Sequence, residues 1–382
     1  MILVISCTAA IGEIAPLFQQ PMHLVAANPE IPVKTYKSNR PVIAWLAIGV
    51  AMLMVQILLG GITRLTGSGL SITEWSPLLG ALPPLNVHAW EQSFAHYRQI
   101  AQFKQLNSQF TLADYQSIFF WEWLHREWAR LMGLVFLVPF VVFVLEKRIG
   151  RSLVRPLAVL FMLGGLQGAI GWIMVKTGLN NTDTAVNPVA LAVHFMCALG
   201  LLSWLVWMLL QLAVPTHQVV NRPVLRSLNK GLLVLLFVQL IYGALMAGSH
   251  AALSAPTWPD INGAFIPADL FGNGPWGRQL YTNPLVIQLV HRTLAYLIGL
   301  GTVLWFYLAS KSVSWGWLYK FGKVPLALVL VQITLGVLAL VNSTNGGRIG
   351  FSVAHQFVGM LLLVSLLVTG YLCGKRGLVA AP

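Results

Sequence analysis

Residues 119–131 read FFWEWLHREWARL. The apolar flanks mark a helix embedded in lipid, yet the stretch holds Glu122, His125, Arg126, Glu127 and Arg130, each expensive in hydrocarbon. Charges at such a position need partners or a function, and the rest of the sequence indicates both.

Composition sets the class. Hydrophobic residues make up 57% of the chain and charged residues 9%, with a mean hydropathy of +0.73, whereas a soluble domain carries about 25% charged residues. This predicts an all-α polytopic membrane protein. The net charge of +13 does not point to nucleic acid, which would need basic residues clustered on a solvated face. Here they lie between apolar runs, as topology signals do. Eight segments reach the roughly 20 apolar residues that span a bilayer: 41–63, 117–145, 154–175, 188–213, 228–250, 284–309, 322–342 and 349–373. The connections after the second, fourth and sixth segments, together with both tails, hold fifteen Lys and Arg residues, against six on the other side. By the positive-inside rule both termini are cytoplasmic. The start, MILVISCTAAIG, is apolar but short and lacks a basic beginning, so it fits neither a spanning helix nor a transit peptide; residues 1–40 read as a cytoplasmic tail. Cys7 lies in that tail, Cys197 in the fourth segment and Cys373 at the inner end of the eighth, which disfavours an exported disulfide.

The chain repeats itself. VQILLGGITRLTGSGLS (55–71) matches VQLIYGALMAGSHAALS (238–254), pairing Gln56 with Gln239, Gly60 with Gly243 and Ser71 with Ser254. HREWARLMGL (125–134) matches HRTLAYLIGL (291–300). The third and seventh segments share Gln167/Gln332 and Gly171/Gly336, and AVHFMCALGLL (192–202) aligns with VAHQFVGMLLL (353–363). The expected architecture is two tandem four-helix bundles, residues 41–214 and 228–382, joined by a cytoplasmic linker over 215–227. An even number of helices per bundle gives both halves one orientation, related by a pseudo-twofold axis along the membrane normal.

Only four of the nine histidines fall inside segments at repeated positions, as the pairs His125/His291 and His194/His355. All four segments enter from the outer side, and each histidine lies about 9–12 Å in, at 1.5 Å rise per residue. Two imidazoles at one depth on facing helices is an arrangement that holds a haem iron inside a four-helix bundle. A single intramembrane histidine is often only an interhelical hydrogen-bonding group, but that reading does not account for four at duplicated positions. A zinc site needs three or four ligands in one place, and each half offers two. His23, His88, His96, His217 and His250 fall in the tail, loops or segment ends and receive no role. Arg126 and Arg292 follow the first histidine of each half near the outer surface, where haem propionates need cations; the competing reading is that they snorkel to the interface. Glu122 sits three residues before His125 on the same helical face, and Gln288 stands in its place before His291. One half therefore has an acid beside its ligand and the other does not, which predicts chemistry in the first half and a redox cofactor in the second. A structural salt bridge from Glu122 to Arg126 is the alternative, and Glu127 with Arg130 reads as such a pair.

The sequence resembles the haem A synthase family, over nearly the whole chain from residue 40. The resemblance rests on GGITRLTGSGLSITEWSPLLGALPP (60–84), EWLHRE (122–127), LAVHF (191–195), TWPDINGAFIP (257–267), VHRTLAY (290–296) and AHQF (354–357). It implies an oxidoreductase of the inner membrane of bacteria, converting a methyl group of haem O to the formyl of haem A, through an alcohol and a geminal diol, for cytochrome oxidase. It also implies axial ligands His125, His194, His291 and His355, haem O in one half and haem b as cofactor in the other, with Glu122 near the reacting group. The implied partners are a haem O synthase (protohaem farnesyltransferase), an electron donor of unknown identity and membrane lipid, with no nucleic acid and with room for a homo-oligomer. Some branches carry a cysteine pair in an outer loop; this chain has none and looks like the proteobacterial and mitochondrial branch. Two rivals differ in what they need. A dihaem b-type electron-transfer cytochrome would use the four histidines without Glu122 or the long first outer loop, and a transporter would need paired helix breaks at midplane.

Overall fold

In the computed structural model, residues 40–74, 79–268, 270–272, 274–344 and 349–374 are described. The expected tail, with Cys7, Lys34 and Lys37, and the topology-marking residues Arg348, Lys375 and Arg376 lie outside them.

Eight helices are long and apolar enough to cross a membrane: α1 (Arg40–Leu65), α2 (Leu112–Leu145), α3 (Arg151–Gly178), α4 (Pro188–Ala213), α5 (Pro223–Gly248), α6 (Pro284–Ser312), α7 (Val324–Val341) and α8 (Ile349–Leu372). The protein is an all-α, multi-pass membrane protein. Each span falls on its predicted segment, and the ends differ for local reasons. α2 begins five residues before the apolar run because Thr111 and Asp114 form a capping box, each side chain bonding the other's backbone N–H. α4, α5 and α6 begin with proline in the first turn, where the missing N–H costs nothing, and in α5 this moves the start back to Pro223. α7 is preceded by a short helical piece, Gly316–Phe321.

Helix contacts close a ring within each half of the chain. α1 packs on α2 and α4, and α3 on α4 and α2; α5 packs on α6 and α8, and α7 on α6 and α8. α4 meets α5 and α8, and α1 meets α8. The α4, α5, α6 and α8 seam is filled by Leu199, Leu202, Leu236, Trp305, Leu363 and Leu366. Where α1 crosses α8, Gln356 Nε2 donates to the Ile57 carbonyl at 2.8 Å. A side chain on Gly61 would overlap the Gln356 amide, so the glycine makes this crossing possible.

Two long connections cap the same end of the bundle. In residues 66–111, the helix Val87–Tyr97 and the turn Ala101–Leu106 gather Trp90, Phe94, Tyr97 and Phe103 against Tyr115 and Phe119 of α2. Tyr115 Oη donates to the Ser71 carbonyl at 3.2 Å, fixing the loop over the first half. In residues 249–283, Ile261 and Ala264 form an antiparallel bridge around Asn262 and Gly263, both at positive φ. The Gly263 N–H and the Thr257 hydroxyl hold the Asp260 carboxyl below its ordinary range.

Candidate functional site

Each of the four intramembrane histidines meets the same two residues on a neighbouring helix. Gln56 and Gly60 of α1 face His125 of α2, Gln167 and Gly171 of α3 face His194 of α4, Gln239 and Gly243 of α5 face His291 of α6, and Gln332 and Gly336 of α7 face His355 of α8. Glutamine and glycine are four residues apart, so they share a helical face. A Cβ on the glycine would stand 3.1, 2.8, 3.3 and 2.9 Å from the ring Cε1 of His125, His194, His291 and His355 respectively; the ring occupies the space that glycine leaves. The amide contacts the ring nitrogens. Gln56 Nε2 lies 3.3 Å from both ring nitrogens of His125, Gln167 Nε2 3.1 Å from Nδ1 of His194, Gln239 Nε2 3.2 Å from Nε2 of His291 and Gln332 Nε2 3.3 Å from Nε2 of His355.

The His291 and His355 rings have centroids 6.4 Å apart, inclined at 64°. One metal ion between two imidazoles needs two metal–nitrogen bonds of about 2 Å, plus about 1.1 Å from each nitrogen to its ring centre, about 6 Å in all. The spacing is close to that of two imidazoles on opposite sides of one metal ion. The histidines border a cavity of about 1470 Å³, larger than the roughly 300–1,000 Å³ of a drug-sized ligand site. Among the described residues no group of three or more His, Cys, Asp or Glu could hold a metal ion, so the chemistry on offer is paired imidazoles within a large apolar space.

Glu122 is 3% exposed and carries three hydrogen bonds. Its Oε2 accepts from Ser71 Oγ at 2.7 Å and from the Ile72 N–H at 2.9 Å, and its Oε1 accepts from Arg126 at 2.6 Å. Gln288, fully buried, stands at the matching place: its Nε2 donates to the Ala251 carbonyl at 2.6 Å and its Oε1 accepts from Arg292 at 2.6 Å. Both side chains tie α2 or α6 to the loop that follows the preceding repeat helix. The expected ion pair of Glu127 with Arg130 is also present. Arg126 donates to the carbonyls of Ile72 and Glu74, and Arg292 to those of Ala255, Thr257 and Asp260. Sequence reading placed these arginines at the outer end of the site but missed that most of their donors hold loop backbone.

The family model for cytochrome oxidase assembly protein (COX15-CtaA) matches residues 43–367. Curated relatives named Heme A synthase are 39% identical over 333 residues in Brucella anthropi, covering 86% of this chain and 91% of the relative. In Bradyrhizobium diazoefficiens the identity is 37% over 345 residues (88% and 93%), and in Rhodopseudomonas palustris 41% over 336 residues (85% and 89%). The chain belongs to the haem A synthase family.

For a member of this family the bordering groups with unmet hydrogen bonds are informative. Arg64 Nη2 and Arg292 Nε are buried donors with no partner among the described residues, and both residues border the cavity. Arg64, at the end of α1, escaped sequence reading because Ala247 replaces it in the second repeat, so duplication gave no signal. Its chemistry suits an anionic group such as a carboxylate.

Proposed function

We propose that the protein is a haem A synthase, an oxidoreductase that converts the haem O methyl group to the formyl of haem A. The single observation that carries the reading is that four histidines at duplicated positions border one large cavity, where His125 with His194 and His291 with His355 would each hold one haem iron. Haem supplies the oxidising chemistry when bound; the chain binds, orients and moves protons. Each histidine ring lies against a glycine and a glutamine, and one orphaned guanidinium N–H in each half, on Arg64 or Arg292, would hold a propionate. Arg126 and Arg292 add positive potential at that end while securing the loops.

The halves are two four-helix bundles, 41–214 and 228–382, related by the pseudo-twofold axis. Two differences support haem O in the first and haem b in the second. Among the described residues Glu122 is the only carboxylate that borders the cavity, where it serves as acid and base. The second difference is steric. Gly299 packs on Ile333, whose Cδ1 would lie 3.3 Å from an added Cβ, whereas the matching Gly133 and Gly168 have nothing within 4 Å of theirs. The first half thus leaves apolar room beside its ligands for an isoprenoid chain, and the second fills it. A dihaem electron-transfer cytochrome explains the histidines but neither of these differences.

Extraction of the tetrapyrroles from purified protein and identification by mass tests the function. Haem b together with haem O, its hydroxylated form or haem A is expected; haem b alone would favour the cytochrome. Charge asymmetry supports cytoplasmic termini and haem sites towards the periplasm of a bacterial inner membrane. A cysteine replacing the exposed Glu91 should react with a membrane-impermeant thiol reagent from the periplasmic side, and reaction only from the cytoplasmic side would invert the topology.

A further inference from the structure

At the outer ends of α1 and α5 the two repeats exchange a basic side chain. Gln56, Gly60 and Arg64 follow one another at intervals of four residues and share one face of α1, so Arg64 stands one turn outward of the glycine whose space the His125 ring fills. In the second repeat Ala247 holds the place of Arg64. Just beyond, the halves differ the other way, with His250 at the place of Gly67. Both positions are left-handed, at φ 66° for Gly67 and 53° for His250. Glycine adopts that conformation freely, whereas a residue with a Cβ is disfavoured there. A histidine kept where the repeat allows glycine points to a use for its side chain.

The turn bearing His250 leans on the first half. Gly248 packs on the start of α4 so closely that an added Cβ would stand 2.9 Å from Pro188 Cα and 3.3 Å from Leu191 Cδ2. Pro188 lies about 9 Å of helix outward of His194, at 1.5 Å rise per residue. Arg64 therefore approaches the outer end of the first imidazole pair from α1, and His250 approaches it from the second half; both border the cavity. Arg64 Nη2 is a buried donor without a partner, and among the described residues neither side chain takes part in an ion pair. Burial, with the Arg64 guanidinium close by, holds the His250 imidazole below its ordinary range. Two basic groups brought together without a carboxylate from the chain call for an anion between them.

We propose that Arg64 and His250, one from each half, jointly hold one carboxylate of the haem bound in the first half, so that the second half completes the substrate site. The guanidinium gives a charge-assisted bond, and the imidazole offers an N–H in either protonation state. The matching couple, Ala247 with Gly67, has neither donor, so this anion site exists once. The inference rests on the first half binding haem O through its propionates.

The test is optical titration of purified full-length protein, from cells that make no haem O, with haem O and with haem O whose two propionates are methyl esters. Arg64→Ala and His250→Gly each install the residue of the other repeat, which keeps the helix and the left-handed turn. The unaltered protein should bind the diacid about 10-fold or more tighter than the diester, the scale of a hydrogen bond to a charged group. Each variant should bind the diacid about 10-fold more weakly than the unaltered protein does, with diester affinity unchanged. Wild-type diacid affinity in His250→Gly, or equal weakening of both probes in that variant, would overturn the inference; a loss in Arg64→Ala confined to the diacid would then leave Arg64 alone as the propionate partner. Equal affinity of the unaltered protein for diacid and diester would instead fail the propionate reading of the first half, and the inference with it.

Discussion

His291→Ala and His355→Ala are each expected to abolish the absorption bands of a low-spin b-type haem while the protein remains in the membrane. Losing an outer partner of a ligand already costs about 10–100-fold in metal affinity, and losing one of two axial ligands should exceed that. The fold should tolerate both changes. Each ring already borders the large cavity, so truncation extends an existing space, and the α5, α6 and α8 seam of Leu236, Trp305, Leu363 and Leu366 is left untouched. Membrane yield and haem content measured on the same preparation separate the two effects. Unchanged haem content in both variants would refute the second pair as ligands.

Glu122→Gln is expected to reduce haem A production by about 100-fold or more, the scale of positioned acid and base catalysis, with haem b retained in the second half and haem O or its alcohol accumulating. Gln288 makes this substitution informative. An amide of the same length already bonds Arg292 and the 251 carbonyl in the second repeat, so glutamine at 122 can hold Arg126 without a gap in the packing. Alanine would leave Arg126 without its buried partner, a change that costs about 3–5 kcal/mol in other proteins and would confuse folding with chemistry. If Glu122→Gln made haem A at the wild-type rate, Glu122 would be a tie between α2 and the 68–72 loop, and proton transfer would belong elsewhere.

Hydropathy alone located all eight spans, because lipid forces long apolar helices whatever their neighbours. It could not locate their ends where a cap or a proline decides them, as at Thr111 and Pro223. The four histidines were legible because duplication marked them twice. Gln56 with Gln239 and Gln167 with Gln332 were legible as conserved pairs within the chain, but that all four play one part against one ring type appears only when neighbouring helices are placed together. Arg126 and Arg292 could be put beside His125 and His291, yet which atoms they bond depends on loop paths that no periodicity records. Arg64 was legible only as one of the basic residues counted for topology, since what distinguishes it, a buried donor without a partner, appears only in three dimensions.

The Gln356 contact with Ile57 has a further consequence. Gln356 is bonded covalently to His355, and Ile57 to Gln56, whose amide touches His125. Although 230 positions separate those histidines in sequence (355 − 125), the bridge from one neighbour's side chain to the other's main chain is a single hydrogen bond, with Gly61 leaving no slack around it. A shift of α8 that moved His355 would therefore reach the α1 turn bearing Gln56, so the spacing of His125 and His355 depends on a crossing of two helices rather than on the 215–227 connection along the chain.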